Sequence, residues 1–236
     1  MESSSSSLRV LFVGNSFTYA NDLDKVFTLF MRSRGIVVEA KRVAKGGYSF
    51  VQHLKDLENS EEELYSLLGE GSQSEQRWDY VILQDQSQIP GTFQYTGLWE
   101  SSKEALLQLA AIATKKGATV VLLQTWAHRE GNYDRSNAFF TQLFPDYPTM
   151  QRLLITGYEM YKTEIEKAVP GSIVVIAPAG KAWNLIYDTM EGGRADSGSG
   201  HKATEGSRQT RALRGGATGE AASAIPDGGQ NWLDLK

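Results

Sequence analysis

The chain has 236 residues and a net charge of −4, and 41% of its residues are hydrophobic and 22% are charged. These values are close to those of globular domains, so they exclude a fully disordered or fibrous chain and predict one compact domain. The absence of cysteine excludes disulfides, thiolate nucleophiles and cysteine-ligated metal sites. No apolar run approaches the roughly 20 residues of a membrane-spanning helix, and no basic run predicts a nucleic-acid partner.

The structural elements are predicted from the spacing of apolar residues. Residues 1–7 are a serine run without the features of a signal peptide, which predicts a disordered N-terminus in a cytoplasmic protein, or in a secreted one whose leader has been removed. Short apolar runs predict strands over residues 8–13, 36–43, 78–83, 118–123 and 172–177. Helical spacing predicts helices over residues 22–34, 101–116 and 148–167, and one or two helices over 49–68. This alternation predicts one α/β domain over residues 8–190, with a parallel sheet covered on both faces.

Residues 191–236 have a different composition from the rest of the chain. Between Glu191 and Gln230 there are ten glycines and nine aliphatic residues, seven of which are alanine. This composition is typical of a poorly ordered segment, because little apolar area is available to offset the entropy of ordering it. A frame error or an alternative gene end would also produce such a stretch.

Ligands of parallel sheets bind beyond the carboxyl ends of the strands, so candidate residues are expected in the loops that follow each strand. The loop after the first strand reads Gly-Asn-Ser-Phe-Thr over residues 14–18, which is neither a dinucleotide-binding motif, a P-loop nor a GxSxG elbow. Ser16 in this loop is either a nucleophile or a residue that caps the following helix. The long loop over residues 124–147 is rich in aromatic residues, which either roof a pocket or pack onto the core.

Three of these loops resemble the sequence blocks of the SGNH (GDSL-like) hydrolases. Residues 10–18 resemble the first block, with Asn15 in place of the usual aspartate. The loop after the second strand resembles the second block, with Gly47 as the best match and Gly46 as the adjacent option. After the third strand, Leu-Gln-Asp-Gln-Ser over residues 83–87 aligns with the LGxND block, so Gln86 stands where the family has an oxyanion-binding asparagine. Residues 124–127 and 178–183 further resemble one uncharacterised subgroup of SGNH proteins.

The resemblance implies a fold and a reaction. The fold is a flavodoxin-like three-layer α/β/α sandwich with a five-stranded parallel sheet in the order 2-1-3-4-5. The reaction is hydrolysis of a carboxylic ester, with O-acyl carbohydrates and lipids as candidate small-molecule substrates, and it needs no cofactor or metal. Ser16 is the implied nucleophile, and the backbone N–H groups of Ser16 and Gly47 with the Gln86 amide are the implied oxyanion donors. Without the resemblance, Gln86 is a polar loop residue that caps a turn, and its neighbour Gln84 is expected to tolerate substitution better.

The catalytic base is the point where the chain departs from the family pattern. The family's last block is Asp-x-x-His, whereas here Asp196 precedes His201 by five residues. His201 is therefore either a displaced base, oriented by Asp196, or an incidental residue. His128 follows the fourth strand and is expected to line the pocket with Asn15 and Trp126, or to replace the base. His53 lies within a predicted helix and is expected to be structural or surface-exposed.

Two alternatives to an esterase stay open at this point. In one, the chain is a catalytically impaired SGNH scaffold that acts as a binding module. In the other, it is a flavodoxin-like domain that binds a phosphate-bearing ligand at a helix N-terminus.

Overall fold

The computed structural model describes residues 7–69, 77–95 and 97–195. Five strands form one parallel sheet in the order β2-β1-β3-β4-β5, which confirms the predicted sheet type and strand order. The strands are β1 (Leu8–Gly14), β2 (Val38–Ala44), β3 (Tyr80–Leu83), β4 (Thr119–Leu123) and β5 (Val174–Ala177). Three of them, β2, β3 and β5, begin two residues later than predicted. The backbone of the residue just before each of them, Val37, Asp79 and Ile173, already hydrogen-bonds to a neighbouring strand.

Helices connect the strands and cover both faces of the sheet. They are α1 (Ser16–Tyr19), α2 (Leu23–Ser33), α3 (Phe50–Asp56), α4 (Glu63–Leu68), α5 (Leu98–Lys115), α6 (Ala138–Leu143), α7 (Tyr147–Ala168) and α8 (Ala179–Ala195). Short 3-10 turns lie at Ala20–Asp22 and Ile89–Thr92. Within the described ranges, no helix is both long and apolar enough to cross a membrane.

The α8 helix is not among the predicted helices. It continues to Ala195, five residues past the end of the domain suggested by the composition, and the rest of the glycine-rich segment lies outside the described residues. Its first turn lies close to the loop after β4, because a Cβ at Gly180 would come 2.2 Å from the Thr125 carbonyl oxygen. The ring of Tyr187 on this helix stacks on Tyr147 of α7, with centroids 4.1 Å apart.

Alternate residues of the strands face opposite sides of the sheet, as the period of a β-strand requires. Leu11 and Val13 of β1 belong to the larger core cluster, which contains residues of α3, α5 and α7. Val10 and Phe12 of the same strand face the other side, where residues of α2 and α8 cover the sheet. The central strands β1, β3 and β4 are mostly apolar because both of their faces are buried, whereas the edge strand β2 exposes Glu39 and Lys41.

The strand register brings the candidate loops to one edge of the sheet. Val13 of β1 pairs with both Val43 of β2 and Leu83 of β3. Since all three strands run in the same direction and end within about one residue of these positions, the loops that carry Ser16, Gly47 and Gln86 all leave the sheet at the same level.

Candidate active site

The side chain of Asn15 connects the three candidate loops. Its Nδ2 donates hydrogen bonds to the Tyr48 carbonyl at 2.9 Å and to the Asp85 carbonyl at 3.2 Å. Its Oδ1 accepts a hydrogen bond from the Phe17 N–H at 3.1 Å, which caps the start of α1. Asn15 is 2% exposed, so these bonds form away from water. Asn15, which precedes Ser16, is therefore hydrogen-bonded both to Tyr48, the residue after Gly47, and to Asp85, the residue before Gln86.

Ser16 is the first residue of α1 and is partly exposed at the carboxyl edge of the sheet. The cap of this helix is supplied by Asn15, so the capping role that the sequence left open for Ser16 belongs to its neighbour. Within the described part of the chain, neither the Ser16 hydroxyl nor its N–H group has a hydrogen-bond partner. Both groups are therefore available to a ligand that reaches this edge.

Gly47 lies in the loop after β2 with a φ of +72°, a left-handed conformation that favours glycine. No atom lies within 4 Å of the position that a Cβ would occupy, so the loop leaves open space at this residue. The loop is held by Lys45, whose Nζ donates to Glu62 at 2.7 Å and to Asp56 at 3.0 Å. Burial lowers the pKa of Lys45, but its hydrogen bonds with Glu62 and Asp56 outweigh this and raise the pKa above the usual range.

Gln86 adopts the turn-capping arrangement that the sequence offered as its alternative role. Its Oε1 accepts hydrogen bonds from the backbone N–H groups of Gln88 at 2.8 Å and Ile89 at 3.2 Å. Its Nε2 donates to Gln88 Oε1 at 2.8 Å. An amide nitrogen carries two hydrogens, and the other one makes no hydrogen bond to the described residues. The cap fixes the amide in one orientation and leaves one donor on the half-buried side chain.

Gln84, which the sequence suggested would tolerate substitution, is completely buried beside the Ser16 loop. Its Oε1 accepts hydrogen bonds from the Asn15 N–H at 2.9 Å and from the Thr18 hydroxyl at 2.8 Å. Its Nε2 donates to the Asp85 carbonyl. These contacts argue against that expectation, because removing the Gln84 amide would leave two donors of the Ser16 loop unsatisfied.

Asp85 is a buried carboxylate that sequence reasoning missed. Its Oδ1 accepts from the N–H groups of Phe50 at 3.1 Å and Gln86 at 2.8 Å. Its Oδ2 accepts from the hydroxyls of Ser102 at 2.6 Å and Tyr161 at 2.9 Å. Burial raises the pKa of Asp85 to about 6, although these hydrogen bonds oppose the shift. The carboxylate joins the Gln86 loop to α3, α5 and α7.

His53 is a structural residue and not a surface residue. Its ring is fully buried, and its Nε2 donates to the Gly14 carbonyl at 2.9 Å, which fixes the Nε2–H tautomer. Within the described residues, Nδ1 has no hydrogen-bond partner. Burial therefore lowers the pKa of His53 to about 4, and the positive charge of Lys45 lowers it further, whereas the bond to Gly14 opposes the shift. His53 anchors the end of β1 just before the Ser16 loop.

His128 and Trp126 lie against the residue that follows Ser16. The Phe17 ring centroid is 4.9 Å from that of Trp126 and 6.2 Å from that of His128. The ring of Tyr133, in the long loop, packs against the His128 ring in an edge-on arrangement, with centroids 4.9 Å apart. Burial lowers the pKa of His128 to about 4, so this imidazole is neutral at pH 7 and could accept a proton.

Asp196 and His201 lie outside the described residues. Within the described ranges, no group of three or more histidine, aspartate or glutamate residues is arranged to hold a metal ion.

A small pocket lies between the loop after β3 and the long loop after β4. Its lining includes Gln86, Gln88, Asn132, Tyr133, Asn137 and Phe140. Two aromatic residues of the long loop thus line a pocket, whereas Phe144 and Tyr147 of the same loop pack into the core. Both expectations for the long loop hold, since Tyr133 lines the pocket, Phe144 and Tyr147 pack into the core, and Phe140 does both.

Comparisons with known proteins identify the fold. No family model and no curated protein matches the chain. Among solved structures, a protein of Slackia heliotrinireducens assigned to the SGNH hydrolases is 20% identical with a TM-score of 0.53, over 72% of this chain and 78% of that one. A DUF4886 family protein of Bacteroides uniformis is 16% identical with a TM-score of 0.55, over 76% of this chain and 70% of that one. At these identities, the similarity is one of fold.

Proposed function

From the SGNH hydrolase fold of this chain, which confirms the resemblance seen in the sequence, we propose that the protein is a serine esterase that hydrolyses a carboxylic ester. The observation that carries the proposal is the set of hydrogen bonds made by Asn15. These bonds support a site in which Ser16, Gly47 and Gln86 approach a common substrate from three loops. The open space at Gly47 and the unused hydrogen of the Gln86 amide are consistent with that role.

The proposed reaction is acyl transfer to Ser16 followed by hydrolysis. The Ser16 hydroxyl oxygen attacks the ester carbon while a base takes its proton, and the carbonyl oxygen becomes an oxyanion. The N–H groups of Ser16 and Gly47 and the Gln86 Nε2 donate hydrogen bonds to this oxyanion. When the C–O bond to the alcohol breaks, the protonated base returns the proton to the alcohol. Water then attacks the acyl-serine in the same way and releases the acid.

The proposed base is His201, with Asp196 orienting its ring. His128 is the alternative base, because its ring lies beside Phe17, the residue after Ser16. Its burial lowers its pKa to about 4, which makes it a weaker base than an exposed imidazole. His53 is not a candidate, since its Nε2 donates to the Gly14 carbonyl.

A fluorophosphonate probe tests the nucleophile directly. The wild-type protein should be labelled, and Ser16→Ala should lose both the labelling and at least roughly 10³-fold of the hydrolysis of p-nitrophenyl acetate. Ser33→Ala is the matched control, because the Ser33 hydroxyl is exposed on α2 and bonds only to its own helix at Phe30. Equal labelling of wild type and Ser16→Ala would refute the assignment, and no labelling of the wild type would favour a scaffold that only binds ligands.

The same assay identifies the base. A large loss of turnover in His201→Ala alone supports His201, whereas a loss in His128→Ala alone moves the role to the loop after β4. Rapid wild-type turnover that neither substitution affects would rule out both histidines.

A further inference from the structure

The pocket beside Gln86 contains a chain of hydrogen-bonded amides. Gln86 Nε2 donates to Gln88 Oε1 at 2.8 Å, and Gln88 Nε2 donates to Asn132 Oδ1 at 2.9 Å. Asn132 Nδ2 then donates to the Thr141 hydroxyl at 3.0 Å and to the Asp134 carbonyl at 2.5 Å. Gln88 and Asn132 are both buried, at 5% and 0% exposure. Each amide in this chain is therefore held in one orientation.

Several polar groups of the pocket keep unused hydrogen-bonding capacity. The second hydrogens of Gln86 Nε2 and Gln88 Nε2 make no hydrogen bond within the described chain. Asn137 uses its Oδ1 to cap α6 through the Phe140 N–H at 3.1 Å, and its Nδ2 has no partner among the described residues. Asp134 adds a carboxylate whose pKa is lowered by its hydrogen bonds to Ser136, so it is ionised at pH 7 and accepts hydrogen bonds.

The chemistry of the lining selects among ligand classes. Among the described residues, no Lys, Arg or His lines this pocket, and Asp134 adds a negative charge, so a phosphate or carboxylate would be repelled. An acyl chain would cover the amide hydrogens without offering them an acceptor, which is unfavourable. A group rich in hydroxyls satisfies both kinds of partner, since each hydroxyl donates and accepts. The rings of Tyr133 and Phe140 offer apolar surfaces for ring carbons.

We infer that this pocket binds the sugar part of an O-acylated carbohydrate, with sugar hydroxyls hydrogen-bonded to Asn137, Gln88 and Asp134. The inference rests on the proposed esterase function, because Gln86 belongs both to the pocket and to the candidate oxyanion site. It selects the alcohol part of the ester.

The test compares two esters, methyl 6-O-acetylglucoside and p-nitrophenyl acetate, whose alcohol carries no sugar hydroxyls. In Asn137→Ser, serine retains the helix cap but its hydroxyl does not reach as far as the amide. The ratio of kcat/KM for the glucoside to that for p-nitrophenyl acetate should fall roughly 10-fold in this variant, the effect of one lost hydrogen bond. Asn59→Ser is the matched control, since Asn59 accepts from the Glu61 N–H in a loop outside the pocket, and it should keep the wild-type ratio. An unchanged ratio in Asn137→Ser would overturn the inference.

A binding experiment separates this inference from the esterase proposal. Saturation-transfer NMR on Ser16→Ala protein should detect binding of free glucose, and inorganic phosphate should not compete with it. Glucose binding by a wild-type protein that hydrolyses neither ester would support the pocket and refute the esterase. Hydrolysis without any glucose signal would support the esterase and refute the pocket. In Asp134→Asn, glucose binding should weaken; a new affinity for phosphate without glucose binding would refute the sugar assignment.

Discussion

At the scale of single residues, the Gln86 amide combines an observed structural role with the chemical role proposed above. Its oxygen caps the turn at Gln88 and Ile89, and its nitrogen retains one hydrogen that makes no bond to the described residues, which the proposal assigns to an oxyanion. A simple truncation would remove both roles at once. A variant that keeps the acceptor oxygen and removes the N–H donor is therefore needed to distinguish the two roles.

Gln86→Glu is such a variant, because a glutamate oxygen can still accept from the two N–H groups. We expect kcat to fall roughly 10²- to 10³-fold with little change in KM, since the lost donor acts mainly in the transition state. The urea unfolding midpoint should fall only modestly, because the turn keeps its cap while the hydrogen bond from Gln86 Nε2 to Gln88 Oε1 is lost. Wild-type turnover in this variant would refute the oxyanion role, and a loss of stability that accounts for the loss of turnover would assign Gln86 to the turn alone.

At the scale of elements, the Asp85 carboxylate holds the Gln86 loop to three helices. It accepts hydrogen bonds from Phe50 of α3, Ser102 of α5 and Tyr161 of α7. The same loop is joined to the Ser16 loop through Asn15 and Gln84. The geometry of the candidate site therefore depends on how the helices pack against the sheet, and not only on the three loops themselves.

Asp85→Ala should lower the free energy of unfolding by roughly 3 to 5 kcal/mol, because four buried donors lose their acceptor. Urea denaturation followed by tryptophan fluorescence measures this change. Asp79→Ala is the matched control: Asp79 is exposed and accepts from one backbone N–H, that of Arg9, so its removal should cost about 1 kcal/mol or less. Equal losses in the two variants would contradict the structural role assigned to Asp85.

At the scale of the whole molecule, His53 and Asp85 make opposite contributions to the pH dependence of stability. The pKa of His53 is lowered from 6.5 to about 4, so the unfolded chain binds a proton that the folded chain does not, and stability is lost as the pH falls from 6.5 to about 4. The pKa of Asp85 is raised from 3.8 to about 6, so the folded chain binds the extra proton, and stability is gained as the pH falls from about 6 to 3.8. Each difference corresponds to roughly 3 kcal/mol.

Unfolding in urea at pH 7 and pH 4.5 tests both contributions in the same molecule. His53→Gln can still donate to the Gly14 carbonyl but cannot titrate, so it should lose up to roughly 3 kcal/mol less stability on acidification than the wild type. Asp85→Asn should lose more than the wild type, because it lacks the compensating gain. Parallel curves for the wild type and both variants would contradict the burial of these two groups.

The sequence predicted the fold and where to look for a candidate site. The strands and most helices follow from apolar spacing that lies within one element, and the loop sequences at residues 14–18, 46–47 and 83–87 indicated the resemblance to SGNH hydrolases. Parallel strands end at the same edge, so the order of the blocks along the chain already predicted that Ser16, Gly47 and Gln86 share an edge. These features are local in the chain, or follow from a rule of sheet topology.

The tertiary structure alone decided what the polar residues of this edge do. Asn15 and Gln84 are 69 residues apart, and Asp85 and Tyr161 are 76 residues apart, so no local pattern indicates that they are hydrogen-bonded partners. From the sequence alone, a polar residue in a loop is predicted to be solvent-exposed, whereas Gln84 and Asp85 are completely buried. The free-energy cost of burying them is offset because each accepts hydrogen bonds from donors in distant segments. Those donors converge only when the helices pack on the sheet.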